Sequence, residues 1–179
     1  MDLRPRLREQ FRWRGDSTDE DLRADLTNWW RDPEVLIGLG PALANLFPAT
    51  QPTVVMGPQS RGCLLGALVA RHLEVGFVEV HKDPGRAADS DAWWERTTPP
   101  DYRDRNLVMG VRRNLLSAGD RVLFVDDWVA TGGQAVASKA LVHDSGASWL
   151  GAAVVVNGLD RPQHRHDLGL KSLLHLRDL

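Results

Sequence analysis

The chain has one cysteine, Cys63, and one tyrosine in 179 residues. A lone cysteine excludes an internal disulfide and fits a reducing compartment. Long apolar runs are missing too: none approaches the ~18 residues that a membrane-spanning helix needs. The first ten residues, MDLRPRLREQ, have no apolar core, so no signal peptide is expected. The expectation is a cytoplasmic protein with no membrane partner. Charge of one sign is also scarce, since 22 Lys and Arg against 24 Asp and Glu leave a net charge of −2. Bulk charge therefore gives no reason to seek a polyanion. No basic helix or helix-turn-helix pattern is present, and no nucleic-acid partner is expected. Neither GxSxG nor a paired Cys and His occurs, which weakens a hydrolytic reading.

What is present fits one globular α/β domain over residues 1–179, long enough to bury a sizeable core. Residues 1–19 are polar and arginine-rich, without a clear period. Ser17 or Thr18 is positioned to cap a helix beginning near Asp19. Asp32 and Pro33 predict a second helix start, cap followed by first position, and Leu36, Leu39, Leu43 and Leu46 give it one apolar face. TVVMG (53–57) reads as a buried strand, CLLGALVARHL (63–73) as a helix and VGFVEV (75–80) as a second strand. Residues 81–106 form a long polar stretch with several prolines and no period, the kind of connection that is usually functional. Residues 107–116 are ambiguous. RVLFVDD (121–127) predicts a third strand, 134–144 a helix ending at Gly146, 149–159 a fourth strand and 171–176 a fifth. Strand alternating with helix predicts a parallel sheet flanked by helices, with ligands beyond the strands' carboxyl ends. Three loops lie there: 57–62, 81–106 and 126–134.

The last of these carries the strongest signal. VLFVDDWVATGGQ (122–134) runs from an apolar strand into two adjacent carboxylates and then a glycine turn. Asp126 and Asp127 would repel one another and lose solvation unless something pairs with them. A sugar diol, a metal ion or a basic partner would serve, and so would the plain role of a turn or helix cap. Ala130, Thr131, Gly132, Gly133 and Gln134 then enter a helix, whose free N–H groups favour a phosphate. Acceptors for ribose hydroxyls and donors for a phosphate thus lie a few residues apart. The segment is neither a Walker A loop nor GxGxxG.

VLFVDDWVATGGQ resembles the phosphoribosyl diphosphate signature of type I phosphoribosyltransferases, and the chain is most similar to their adenine-specific group. MGPQSRGCLLGALVARHLEVGFVEVHK (56–82) is similar to the segment that carries their SRGF-type diphosphate loop, helix and strand. LTNWWRDPEVL (26–36) is similar to their first long helix. The resemblance implies a five-stranded parallel core with a small hood, from about residues 1–30 and the C-terminal tail. It implies a transferase that passes the phosphoribosyl group of phosphoribosyl diphosphate to an adenine-like nucleobase and releases diphosphate. Asp126 and Asp127 would bind the ribose hydroxyls and residues 130–134 the 5′-phosphate. Ser60, Arg61, Gly62, His81 and Lys82 would hold the diphosphate. Arg61, Lys82 and Asp127 would be the catalytic residues. Mg²⁺, bound mainly through phosphoribosyl diphosphate rather than a dedicated protein site, would be the cofactor, and a homodimer the assembly. Residues 81–106 would close over the reacting centre, with Arg103 and Arg105 as candidates to join.

The sequence also departs from that pattern. His81 stands where the family usually has arginine, the RKxGKLP continuation is replaced by DPGRAADSDAWWERTTPP, and Gln134 replaces a threonine or serine. The altered stretch keeps a second reading open: a binding or regulatory protein of the same fold without transfer. Other polar and aromatic features have plain readings. Trp93 and Trp94 fit packing better than stacking on a base, and Trp128 fits packing. His164 and His166 lack a third ligand and fit a solvated loop. Cys63 fits burial better than reactivity.

Overall fold

The computed structural model describes residues 2–15, 23–84, 92–100 and 105–179. The predicted cap at Ser17 or Thr18 lies outside them. The N-terminal part holds α1 (Arg4–Gln10), two short antiparallel strands β1 (Arg12–Arg14) and β2 (Arg23–Asp25), and α2 (Thr27–Arg31). Next comes α3 (Pro33–Ala44), started as its sequence predicts. Asp32 Oδ1 accepts from the backbone N–H of Glu34 at 2.9 Å and of Val35 at 3.3 Å. Its Oδ2 accepts from Arg6 Nε at 2.6 Å and from the Gln10 amide. The Arg6 hydrogen bond is the main reason that this carboxyl is held down to about 2. One residue thus caps α3 and pins α1 to it. The buried stripe of α3 is Val35, Leu39 and Leu43, with Leu36 and Leu46 half-buried at its flank, so the predicted face is rotated slightly.

Beyond α3 the chain alternates: β3 (Val54–Pro58), α4 (Arg61–Leu73), β4 (Gly76–Lys82), β5 (Trp93–Thr97), β6 (Val108–Arg112), β7 (Arg121–Val129), α5 (Gly133–Asp144), β8 (Ser148–Asn157), α6 (Pro162–Asp167) and β9 (Leu170–His175). The strands form one sheet in the order β5-β6-β4-β3-β7-β8-β9. From β4 to β9 all neighbours are parallel, and these are the five strands expected from sequence. β6 and β5 add two antiparallel strands at the β4 edge. The polar stretch 81–106 is therefore not all loop. Trp93–Thr97 pairs along the whole of β6, because Trp94 packs on the core while the polar residues around it face out. The other differences are the strands β1 and β2, with β2 (Arg23–Asp25) standing where a helix from Asp19 is expected to continue, and short helices: α1 and α6 carry too few apolar residues to show a period.

Strand alternation divides the core in two. Val55, Leu123, Val125, Ala153 and Val155 face α3 and α4. Met56, Val122, Phe124, Ala152 and Val154 face α5. Both faces of the sheet are covered, which is why the central strands read as continuous apolar runs rather than alternating ones. Among the described residues, no helix is long and apolar enough to cross a membrane.

Candidate active site

The acid pair lies inside β7 rather than at its end, because β8 continues to pair with it through Val129. Asp126 and Asp127 are each only 7% exposed. The Asp127 backbone N–H donates to Asp126 Oδ1 at 2.9 Å. Arg61 Nη1, from the start of α4, is 2.9 Å from Asp127 Oδ2. The guanidinium N–H does not point along that contact, so Oδ2 has an ion-pair neighbour but accepts no hydrogen bond. Burial first, and then the Asp127 charge, push the Asp126 carboxyl well above the usual carboxylate range; the nearby Lys82 charge works against them. The pair thus holds an acceptor without a donor beside a carboxyl with reduced charge. Two vicinal hydroxyls would satisfy both.

The following turn bends sharply. Gly132 has φ +84°, a conformation open to glycine but strained for other residues, and Gly133 begins α5. Thr131 Oγ1 accepts from Gly133 N at 3.4 Å. Ala130 to Gln134 line a hollow of about 170 Å³ together with Asp126 and Trp128. The first turn of α5 carries no acidic residue of its own, which suits a phosphate. Pro99 passes close by: a Cβ on Gly133 would lie 3.3 Å from its carbonyl oxygen.

On the opposite side, the β3–α4 turn is packed too tightly for side chains. A Cβ on Gly57 would lie 2.3 Å from Gly62 O, and one on Gly62 would lie 2.4 Å from Pro58 Cδ. This close approach carries Ser60 and Arg61 to the mouth of the site. Ser60 precedes α4 without making a side-chain cap hydrogen bond. Lys82 ends β4 alongside them. A cleft of about 610 Å³ unites Ser60, Arg61, Lys82, Asp126, Asp127 and Gln134. Gly62 does not line it; it is buried behind Arg61, packed on Pro58.

His81 is the exception. Successive strand residues point to opposite faces, and His81 turns away from the cleft. Its ring meets Trp93 edge-on at 5.0 Å, and Nε2 is 3.6 Å from Glu79 Oε2. Arg103 lies outside the described residues. Cys63 is half-buried beside Glu79; burial first, then the Glu79 charge, pushes its thiol up to about 12, so it is inert. Trp93 and Trp94 pack under Arg112 and Arg113, in keeping with the packing role. His164 and His166 are exposed on α6, and the described residues contain no group of three metal-ligating side chains.

Several cleft residues carry no signal in the sequence. Gln59 lines the cleft, and so do Trp13, Arg23, Ala24 and Leu26 from the N-terminal sheet and its exit. Trp128 both lines the cleft and packs: its ring stacks on Phe11 at 6.2 Å and meets Trp13 edge-on at 6.2 Å. Nothing in FRWRG or DLRADL marks these residues, because only the hairpin pairing Trp13↔Ala24 brings them together.

A sheet with parallel central strands, an acid pair buried in one of them and a glycine turn onto the next helix define a class: α/β proteins that bind ligands beyond the carboxyl ends of their strands. Comparison with known proteins narrows it. The family described as the phosphoribosyl transferase domain matches residues 31–172, and the chain belongs to that family. It is a phosphoribosyltransferase, an enzyme acting on a nucleobase. It is 35% identical to adenine phosphoribosyltransferase of Methylococcus capsulatus over 86% of this chain and 88% of that one. It is 39% identical to that of Streptomyces coelicolor, over 74% and 70% respectively. Among solved structures, adenine phosphoribosyltransferase of Rhodothermus marinus superposes with TM-score 0.82 at 29% identity, covering 97% of this chain and 98% of that one. The Saccharomyces cerevisiae enzyme, complexed with an imino-altritol bisphosphate and adenine, gives TM-score 0.80 at 27% identity, with 96% and 98% covered. None of these relatives supports a binding-only protein.

Proposed function

We propose that the chain transfers the phosphoribosyl group of phosphoribosyl diphosphate to adenine. The observation that carries this reading is the cleft in which Asp126 and Asp127 face Arg61 and Lys82, with the hollow of the 130–134 turn adjoining it at Asp126, Trp128 and Gln134. Asp126 and Asp127 hold the 2- and 3-hydroxyls of the ribose. The turn from Ala130 to Gln134 holds the 5′-phosphate. Ser60, Arg61 and Lys82 hold the diphosphate, with Gly62 giving its backbone room. His81 supports Lys82 from behind rather than touching the ligand. A base nitrogen bonds to C1 of the ribose as the bond from C1 to the diphosphate oxygen breaks, diphosphate leaves with that electron pair, and the base gives up its ring N–H proton to solvent or to the departing diphosphate. Positive charge builds on the sugar ring and negative charge on the leaving oxygens. Arg61 and Lys82 stabilise the latter, and the Asp127 carboxylate faces the former.

The donor set fits Mg²⁺. Two carboxylates offer hard oxygens, and as no third ligating side chain joins them among the described residues, a cation there would take the substrate's own oxygens to complete its shell. Asp126 and Asp127 would hold it through the ribose hydroxyls. When bound, it neutralises part of the diphosphate charge. The N-terminal sheet is read as the hood: Trp13 and Trp128 offer aromatic surface for a base at that end of the cleft. The names of the relatives support adenine, and the resemblance supports a homodimer.

The test is diphosphate release from phosphoribosyl diphosphate and Mg²⁺ against a panel of purine and pyrimidine bases. Release with adenine, at the highest kcat/KM of the panel, is the expected result. Tight binding of phosphoribosyl diphosphate with no release for any base would overturn it.

A further inference from the structure

The ladder between β3 and β4 ends at the pair Pro58–Val80. Gln59 N adds one more bond, to the Val80 carbonyl at 3.0 Å. The next β4 amide on that side belongs to Lys82, and β3 has no residue left to meet it. The Gln59 side chain takes the place of the missing strand: its Oε1 accepts from Lys82 N at 2.9 Å. Its Nε2 lies 3.4 Å from His81 Nδ1. Since the amide oxygen is already engaged by a backbone N–H, Nε2 is the donor and Nδ1 the acceptor. The ring's N–H is then on Nε2, facing Glu79 at 3.6 Å. One side-chain amide therefore holds two consecutive residues at the end of β4. The same residue is bonded in sequence to Ser60 and Arg61. Gln59 is the only cleft-lining residue among those described that joins the two segments from which the cleft's cationic side is built.

We propose that Gln59 is a positioning residue for phosphoribosyl transfer, which fixes the distance between Arg61 and Lys82 by replacing the ladder bond that β3 cannot make. This rests on the reading of Lys82 as a diphosphate ligand given above. A lost backbone hydrogen bond lets the last residue of β4 drift, and a small displacement of a leaving-group cation is costly in rate. A nucleoside monophosphate lacks the diphosphate and does not feel that drift. The effect is therefore selective, which a general packing role would not be.

Gln59→Met keeps the length and apolar stem of the side chain and removes both contacts. We expect kcat to fall and KM for phosphoribosyl diphosphate to rise, together costing about tenfold to a hundredfold in kcat/KM, the worth of one or two hydrogen bonds. Affinity for the nucleoside monophosphate, by calorimetry, should stay within about twofold. In combination with Lys82→Met, the double variant should be no slower than Lys82→Met alone, because both changes act through one side chain. Gln59→Glu keeps an acceptor for Lys82 N and should retain more activity than Gln59→Met. Kinetics unchanged in Gln59→Met, losses that add fully to those of Lys82→Met, or an equal fall in monophosphate affinity would each overturn the proposal. Lys82→Met with wild-type kinetics would instead remove the diphosphate role of Lys82 on which the proposal stands.

Discussion

The two sides of the cleft are built in opposite ways. The acid pair and the glycine turn come from one unbroken stretch, Asp126 to Gln134, leaving the central strand β7 for the helix α5. The cationic side is assembled from the β3–α4 turn and the far end of β4. In the first, covalent geometry sets the spacing of donors and acceptors. In the second, the spacing depends on the parallel register of β3 against β4, and beyond the end of that register on one side-chain amide. The first side should therefore tolerate distant changes and fail only by direct substitution. The second should be sensitive to its supports.

The hardest blow to the contiguous side is Asp126→Asn with Asp127→Asn. Binding of phosphoribosyl diphosphate by calorimetry should fall by at least about a hundredfold, as each carboxylate exchanges an acceptor oxygen for an amide donor that a hydroxyl donor cannot pair with, while circular dichroism stays unchanged. Wild-type affinity in that variant would remove the ribose site. Arg61→Ala attacks the assembled side at its charge. Turnover should drop about 10²–10³-fold, the usual cost of one oxyanion-stabilising group, with nucleoside monophosphate affinity changed far less. Equal losses would make Arg61 a general anchor. Gly132→Ala sharpens the contrast at the backbone, because φ is +84° there. It should cost about 1–2 kcal/mol in urea unfolding and weaken monophosphate binding in the same variant.

The smallest effect runs the other way. The Asp126 carboxyl is raised by burial and by Asp127, so the folded chain holds that proton more tightly than the unfolded chain does. Its contribution to stability is full below the ordinary carboxylate range and is lost as pH rises towards the folded value. Asp126→Asn should then be more stable than wild type at neutral pH, by about 1 kcal/mol, with the gain shrinking as pH falls. Urea unfolding of both proteins at several pH values measures it. A gain independent of pH would mean that the acid pair carries no such strain.

Legibility followed the same division. The five parallel strands, the Asp32 cap and the acid pair with its glycine turn are all readable along the chain. Each depends on neighbours within a few residues or on burial of both sheet faces. β6 lies within the ambiguous 107–116, and β5 is hidden because Trp93 and Trp94 are its only apolar residues, followed by Glu95, Arg96 and Thr97. His81 shows the limit most clearly: its adjacency to Lys82 in sequence predicts a place with the diphosphate, yet strand alternation turns it towards Trp93 and Glu79.

The sequence by itself determined the five parallel strands and the helices between them, the acid pair with its glycine turn, and the lack of any internal disulfide. Those rest on local chemistry and on which residues must avoid water. Tertiary structure alone decided that Trp13 and Arg23 share the cleft with Trp128, that Arg61 meets Asp127, and that Gln59 completes the ladder for Lys82. These contacts join residues far apart in the chain. Strand register and close packing at Gly57 and Gly62 set their distances, and no local pattern of residues encodes either.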